Sequence, residues 1–289
     1  MIDIHVESDE TLDFVRNTFI SHFLGKSTIF LDKVFARVQD LFEGRYPGYQ
    51  RSDTAYHDFK HTCEATVAVV RILDGHIISG KFPAMSSRYF ELIIAAILLH
   101  DSGFIKQVGD SEGTGAKYTL THVERSQKFA ANFLPEFGFT VGELILIQLL
   151  IDCTGVKVDV DNLPFYNDQE RFLGQVLGTG DILGQMAAPD YPERLSRLYE
   201  EFTEAAAYSN TNGSGIEVYH SAEDLMRRTR DFYEGYVKQL LETQWGGVHK
   251  ALLHHFNDGK NHYFDSIEAN LDHIERKVQT AAIWPRFPQ

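Results

Sequence analysis

Four histidine and aspartate side chains occupy positions where the helical period predicts apolar core residues: His61, His100, Asp101 and Asp181. A buried carboxylate without a partner is costly, so each aspartate requires a cation or several hydrogen bonds. Imidazole together with carboxylate suits a divalent ion such as zinc, manganese, iron or magnesium. This donor set also leaves coordination positions open for water, as in metal-assisted hydrolysis. The sequence therefore predicts a divalent-metal site with these four ligands.

Each of these residues also has an ordinary structural explanation when it is taken alone. A single histidine on an apolar face is more often a hydrogen-bonded core residue than a ligand. A single inward aspartate is often a helix cap or a salt-bridge partner. We prefer the metal site because all four residues occur together on the same pattern.

Predicted helices carry these side chains on inward-facing stripes. A helix over 57–73 places His57 and His61 on one face, because residues four positions apart lie one turn apart. A second helix, apolar on nearly every side, ends at Asp101, and a third carries Asp181 along its apolar stripe. The candidate ligands thus lie on the inward stripes of three helices.

The remaining elements are also predicted to be helical, and strand signals are nearly absent. Ser86 or Ser87 and Asn167 are predicted N-caps, and Thr121 with Glu124 has a capping-box pattern. The class is therefore all-α. Further helices are predicted at 9–22, 26–43, 141–151 (as a buried core helix), 192–207, 220–243 and 264–281, with loops at 75–87, 102–118, 152–166 and 210–215.

The composition limits the classes of partner. The 289-residue chain has 43% hydrophobic and 24% charged residues, which is ordinary for a globular protein, and a net charge of −14. That charge argues against large nucleic acids and anionic membranes as partners, because binding to either requires a basic surface. A small anionic substrate is compatible with it, because a metal ion outweighs the global charge locally. We expect residues 1–289 to form a single domain.

Cysteine content and apolar runs indicate the compartment. Cys63 and Cys153 are far apart, so neither a disulfide framework nor a cysteine-based zinc site is predicted. The first residues lack the basic start and the apolar run of a signal peptide. The longest apolar run, at 92–99, is far too short to span a bilayer. We expect a reduced, cytoplasmic location.

The motifs resemble those of the HD-domain superfamily of metal-dependent phosphohydrolases. The resemblance lies in Tyr-His-x-x-x-His at 56–61, in the apolar helix that ends in His100-Asp101, and in the later Asp181. The opening segment is especially similar to the Tyr-His-Asn-x-x-His of cyclic-nucleotide phosphodiesterases and of bacterial HD phosphohydrolases. The resemblance covers residues 50–190 and implies an HD metal-binding core there.

The resemblance implies a role for each residue of the motif. His57, one turn before His61, would stand beside the metal as general acid for the leaving oxygen. Its alternative is a packing histidine near the site. Asp101 and Asp181 would also orient the attacking water. The first metal would be bound by His61, His100, Asp101 and Asp181.

Two further residues are candidates for a second ion or for the substrate. His122 lies 21 residues after Asp101, where two-metal members of the superfamily have a histidine. Such members have another histidine further on, but this chain has Asp152-Cys153-Thr154 there, so we expect the second site to be incomplete. His122 would then bind substrate phosphate or a weakly held ion. Lys106, the nearest basic residue after His100-Asp101, is either a phosphate contact or a solvated loop lysine.

Residues 191–289 form a predicted C-terminal helical extension without a motif of their own. The extension could cover the site, form the interface of a homo-oligomer, or enlarge the core. Its histidines have polar neighbours and no ligand spacing, so we predict that they are solvated. They are His249, His254, His255, His262 and His273.

Three functions are compatible with the pattern. The first is hydrolysis of a phosphomonoester or phosphodiester, with a nucleotide as the expected small phosphorylated substrate. The second is a di-iron oxygenase on the same HD scaffold, which would need a complete second ligand set. The third is a non-catalytic regulatory or binding module, which would be expected to have lost ligands. We favour the phosphohydrolase, because all four ligands of the first site are present.

Overall fold

The computed structural model describes residues 4–155, 158–209 and 219–283. Regular secondary structure in these ranges is helical, apart from an isolated antiparallel bridge between Tyr49 and Gln107. The all-α prediction is therefore confirmed, while the linker predicted at 210–215 lies outside the described residues. The helices are α1 (Thr11–His22), α2 (Ile29–Phe42), α3 (Phe59–Ser79), α4 (Ser87–Leu99), α5 (His122–Phe133), α6 (Val141–Asp152), α7 (Asp168–Ala187), α8 (Tyr191–Tyr208), α9 (Ala222–Phe232), α10 (Lys238–Glu242), α11 (Leu252–Phe256) and α12 (His262–Ile283).

Helix α3 lies in the core, since 15 of its 21 residues are buried. Its first turn is capped by Asp58, whose carboxylate accepts a hydrogen bond from the His61 N–H at 2.9 Å. His57 therefore precedes the helix, and the prediction that it lies on the same helical face as His61 is wrong. The side-chain cap decides where the helix begins.

Gly75 lies inside α3, although a loop is predicted from this residue onwards. A Cβ at Gly75 would lie 2.0 Å from the carbonyl oxygen of Ala251, so the chain that leads into α11 passes directly against α3. The helix ends instead before Gly80, whose φ of 63° is the left-handed conformation that favours glycine. Gly75 thus permits close packing and does not end the helix.

Helices α3 and α7 cross at close range, at two glycines of α7. A Cβ on Gly180 would lie 2.4 Å from a side-chain methyl of α3, and a Cβ on Gly184 would lie 2.8 Å from the backbone of Ala65. The absence of side chains here lets the two backbones approach. Asp181, next to the first of these glycines, lies against His61 across the crossing.

Helices α4 and α6 are both strongly apolar but differ in burial. All residues at 92–99 of α4 are buried. In α6, Val141 is 74% exposed and Ile145 is 53% exposed, so the prediction of a buried core helix at 141–151 is wrong for its outer face. A helix that is apolar on every side gives no signal of which side packs.

In the described part of the chain, no helix is long and apolar enough to cross a membrane.

Two predicted helix caps are confirmed and one is wrong. Ser86 accepts a hydrogen bond from the backbone at the start of α4, and Asn167 does so at the start of α7. Thr121 precedes α5, but its side chain makes no capping hydrogen bond. Glu124 is instead 2.5 Å from the ammonium of Lys128, one turn further on. The capping box predicted for α5 is therefore absent.

Three of the C-terminal histidines are engaged with the protein. His249 and His262 are each 4% exposed. His255 lies 2.6 Å from a carboxylate oxygen of Asp74 in α3, and His262 lies 2.6 Å from Asp258. The prediction of solvated histidines is wrong for these three, because α11 and α12 pack against α3 and α7.

We expect Gly184→Ala to destabilise the fold by about 1–3 kcal/mol, the usual cost of overpacking a core. The added methyl would push α7 away from α3 beside Asp181. Affinity for divalent ions should therefore fall together with stability. Chemical denaturation and an ion titration of the same preparation measure the two effects.

Gly142→Ala is the matched control, because a Cβ at this position of α6 would have no atom of the described residues within 4 Å. This variant should be more stable than the parent by about 0.5–1 kcal/mol, since alanine favours the helix over glycine. Its ion affinity should not change. Similar losses in both variants would contradict the close-packing explanation.

Candidate metal centre

Three of the predicted ligands form a buried group. One ligand atom of each of His61, His100 and Asp101 lies within 4.8 Å of the other two. The two Nε2 atoms are 3.4 Å apart, and Asp101 Oδ2 is 3.3 Å from His61 Nε2 and 3.2 Å from His100 Nε2. All three residues are at most 2% exposed. A carboxylate and two imidazoles in this arrangement could hold a metal ion.

Asp181 adjoins this group from α7. Its Oδ1 lies 3.2 Å from His61 Nε2 and 3.5 Å from His100 Nε2. It therefore contacts both imidazoles of the buried group. The structure thus brings together all four residues that the sequence predicts as ligands of the first metal.

The chain after α4 turns so that His100 and Asp101 face inward. His100 Nδ1 donates a hydrogen bond to the Ile97 carbonyl oxygen at 2.7 Å, which leaves Nε2 directed at the group. Ser126 of α5 donates to the carbonyl oxygen of His100 at 2.5 Å and accepts from the Gly103 N–H at 2.8 Å. The Nδ1 bond fixes the ring orientation, as hydrogen bonds to the distal nitrogen of a ligating histidine generally do, and the Ser126 bonds hold the backbone of the turn.

Two buried carboxylate oxygens of the site have no hydrogen-bond donor among the residues that the structure describes. They are Asp101 Oδ2 and Asp181 Oδ1, the oxygens that face the imidazoles. Their separations from the Nε2 atoms, 3.2–3.5 Å, exceed the roughly 2.8 Å of a strong charge-assisted hydrogen bond. Ligands held at about 2.0–2.2 Å from one ion lie roughly 3.0–3.5 Å apart. The donor set therefore fits a divalent ion.

In the absence of an ion, the aspartates favour protonated imidazoles. Burial lowers the pKa of His61, but Asp101 and Asp181 outweigh it and raise this pKa to about 9. Burial also lowers the pKa of His100, but the same two carboxylates outweigh it and raise this pKa well above its ordinary value. Burial raises the pKa of both aspartates, yet the histidines hold it below the ordinary value. A divalent ion must therefore displace protons from the imidazoles.

His57 lies beside the group and is held by a carboxylate from α8. Its Nδ1 donates to Glu201 Oε2 at 2.6 Å, and Glu201 Oε1 accepts from the Tyr56 N–H at 2.6 Å. Burial raises the pKa of Glu201, but its contacts with His57 and Tyr56 hold it below its ordinary value. The centroids of the His57 and His61 rings are 5.7 Å apart. Nε2 is thus the nitrogen of His57 left for a substrate.

Glu201 is the residue of the site that the sequence analysis missed. It lies in α8, outside the 50–190 segment that carries the motifs, and is 4% exposed. Its signal in the sequence is weak. Glu201 stands on a helical stripe between Leu198 and Ala205, in the same way that Asp181 interrupts an apolar stripe.

Comparison with known proteins assigns no family to this chain. No protein-family model matches it, and no curated protein matches it significantly. The chemical interpretation of the site is therefore based on its own geometry.

His122 reaches the edge of the group from the first turn of α5. Its Nδ1 donates to the Thr119 carbonyl oxygen at 2.7 Å, which directs Nε2 towards Asp101 Oδ1 at 3.9 Å. Burial lowers the pKa of His122, so its neutral form is favoured. A neutral imidazole in this place could contact a second ion beside Asp101 or a phosphate oxygen.

Lys106 has its own partners in the loop that follows the site. Its ammonium donates to the Gly113 carbonyl oxygen at 2.6 Å and lies 2.8 Å from Asp53 Oδ2. The residue is 6% exposed, so it is not a solvated loop lysine. A phosphate contact stays a prediction for Lys106, and it would compete with these two contacts.

We expect the protein to bind a divalent ion and to release protons as it does so. The affinity should rise with pH up to about 9, because the ion displaces a proton from His61. The stability of the ion-free protein changes with pH in the opposite direction. The raised pKa of His61 stabilises the fold below pH 6.5, and this contribution is lost as the pH rises through about 9. Calorimetry in buffers of different ionisation enthalpy measures the number of protons released on ion binding, and thermal unfolding at several pH values measures the stability.

His100→Ala should abolish both ion binding and proton release, and His76→Ala is its matched control. His76 is also a buried histidine of the core, with one ring nitrogen 2.7 Å from a carbonyl oxygen, that of Pro83. Both variants lose a buried imidazole, so both should lose stability. Unchanged ion affinity in His100→Ala would contradict the metal site.

Proposed function

We propose that this chain is a metal-dependent phosphohydrolase of the HD type. Its proposed reaction is hydrolysis of a phosphomonoester or phosphodiester of a small substrate, with a nucleotide as the substrate class. One observation carries the proposal: the buried group of His61, His100 and Asp101 has a carboxylate-held imidazole, His57, beside it. The resemblance of the sequence motifs to HD phosphohydrolases points to the same chemistry.

The ion would be held by His61, His100, Asp101 and Asp181. When bound, a divalent ion supplies Lewis-acid polarisation of a phosphoryl oxygen and lowers the pKa of water. The carboxylates of Asp101 and Asp181 would accept hydrogen bonds from the attacking water and so orient it. Because the group is buried, bulk water is excluded and these interactions are strengthened.

His57 would give its proton to the leaving oxygen. A departing alkoxide is a strong base, and an imidazole is a suitable acid near neutral pH. Since Nδ1–H of His57 is engaged by Glu201, the proton would leave from Nε2. Glu201 would stabilise the imidazolium before the transfer and keep the ring in one orientation. The Tyr56 N–H in turn keeps the carboxylate of Glu201 in place.

We expect turnover of bis-p-nitrophenyl phosphate or p-nitrophenyl phosphate when manganese or magnesium is added. Release of p-nitrophenolate measures it, and the ratio of the two rates separates diester from monoester chemistry. His100→Ala and Asp181→Ala should abolish turnover, because each removes an ion ligand. His76→Ala should retain it after correction for folded protein.

Glu201→Gln should lower kcat by about 10- to 100-fold, a fraction of the roughly 10²- to 10⁴-fold supplied by a general acid. Metal content should not change. The loss should be greater for a substrate with an alkyl leaving group than for p-nitrophenolate, because an alkoxide depends more on protonation. Glu200→Gln, at the exposed neighbouring position, is the control and should have parental rates.

Other outcomes would replace the proposal. Stoichiometric iron without hydrolysis would favour an HD-fold oxygenase. A folded protein with neither ion nor turnover would favour a non-catalytic binding module. Equal losses for both leaving groups in Glu201→Gln would remove the general-acid role from His57 while leaving metal-dependent hydrolysis intact.

A further inference from the structure

The ring of Phe104 stacks on two imidazoles of the site. Its centroid is 4.5 Å from that of His57 at an interplanar angle of 13°, and 4.4 Å from that of His122 at 16°. The two imidazole centroids are 6.4 Å apart. Phe104 is 1% exposed, so its ring is not available to stack on a substrate base. Its contacts with the imidazoles therefore need another explanation.

Within the described ranges, each of these imidazoles has a hydrogen bond at Nδ1 only. His57 donates to Glu201, and His122 donates to the Thr119 carbonyl oxygen. A single hydrogen bond leaves a ring free to swing about it, because the ring torsion of histidine has a broad energy minimum. A stacked neighbour removes this freedom. The hydrogen bond and the Phe104 ring together fix the plane of each imidazole and so the direction of Nε2.

The backbone around Phe104 is held independently of the two imidazole rings. A Cβ on Gly103 would lie 2.0 Å from the His122 carbonyl oxygen, so this segment is pressed against the first turn of α5. Arg125 donates to the carbonyl oxygens on both sides of Phe104, to Gly103 at 2.6 Å and to Ile105 at 3.1 Å. The backbone that carries the Phe104 ring is therefore held in place by α5.

We propose that Phe104 is a positioning residue, which sets the orientation of His57 and His122 relative to each other and to the buried group. This inference rests on the proposed function, in which His57 protonates the leaving oxygen and His122 contacts an ion or a phosphate. Phe104 carries no charge and has no group that could donate or accept a proton. It acts through ring orientation, on which proton transfer depends steeply.

The first test is independent of activity. In the ¹⁵N-labelled full chain loaded with magnesium, long-range ¹H–¹⁵N correlation detects the ring protons of each histidine. His57→Gln and His122→Gln assign the two sets of signals. A ring held in one orientation gives one set of nuclear Overhauser contacts from its carbon-bound protons to neighbouring residues, and we expect this set to weaken or multiply in Phe104→Leu, because an unconstrained ring samples several orientations. Contacts unchanged in Phe104→Leu would overturn the proposal.

The second test is kinetic. Phe104→Leu should lower kcat by about 10- to 100-fold, the cost of a small misplacement of a reacting group. KM and binding of the first ion should not change, and Phe104→Tyr, which keeps the ring, should recover most of the rate. Phe19→Leu is the control, because this buried phenylalanine contacts Phe23 and Phe90 instead of imidazoles.

The two tests separate the inference from the proposed function. If no variant and not even the parent protein hydrolyses a phosphate ester, the proposed function fails and the magnetic resonance result alone decides the role of Phe104. If Phe104→Leu does not fold, Phe104→Met gives the same readouts with a more adaptable side chain. Equal rate losses in Phe19→Leu and Phe104→Leu would overturn the positioning role, because the effect would then be one of general stability.

Discussion

Two carboxylates and two imidazoles meet in the core, where water reaches only Asp181, whose side chain is 13% exposed, so their charges must compensate one another. Asp101 is 2% exposed, and His61 and His100 are 1% exposed. Removing one partner of such a buried set typically costs about 3–5 kcal/mol, because the other charge is left alone. Without an ion, protons on the imidazoles provide the compensation, and a divalent ion would take over that role. Each helix of the site must therefore bring its ligand to the same place.

The helices meet this requirement by packing closely. The glycines of α7 let Asp181 approach His61, and the turn after α4 directs His100 and Asp101 into the space between α3 and α7. Small residues at a helix crossing shorten the distance between backbones, but they give up the apolar area of a larger side chain. Gly180 is a useful example, since its place in a helix would otherwise only weaken that helix. Close packing at the site explains why glycine occurs there.

The sequence predicts the ligands better than it predicts their surroundings. His61 and Asp181 are recognisable because a polar residue on an apolar stripe is rare and needs a partner. The helical period assigns His57 to the same helix as His61, because it does not show that the Asp58 side chain caps the first turn and so leaves His57 outside α3. Glu201 was missed because it is a single glutamate on its stripe, 144 residues away along the chain from its partner. Long-range pairing of that kind leaves no local pattern.

Helix α8 supports the site from two sides. Glu201 holds His57, and Arg194, which is 4% exposed, donates to the Tyr56 carbonyl oxygen at 2.5 Å. One turn after Glu201, Glu204 accepts hydrogen bonds from the N–H and the hydroxyl of Thr114, at 2.5 and 2.6 Å. These bonds hold the loop that follows the metal centre. Buried or half-buried charges of α8 thus have their partners in segments that carry or border the site. Loss of α8 would leave those partners unpaired, so the orientation of His57 depends on residues well beyond the motif in which it is found.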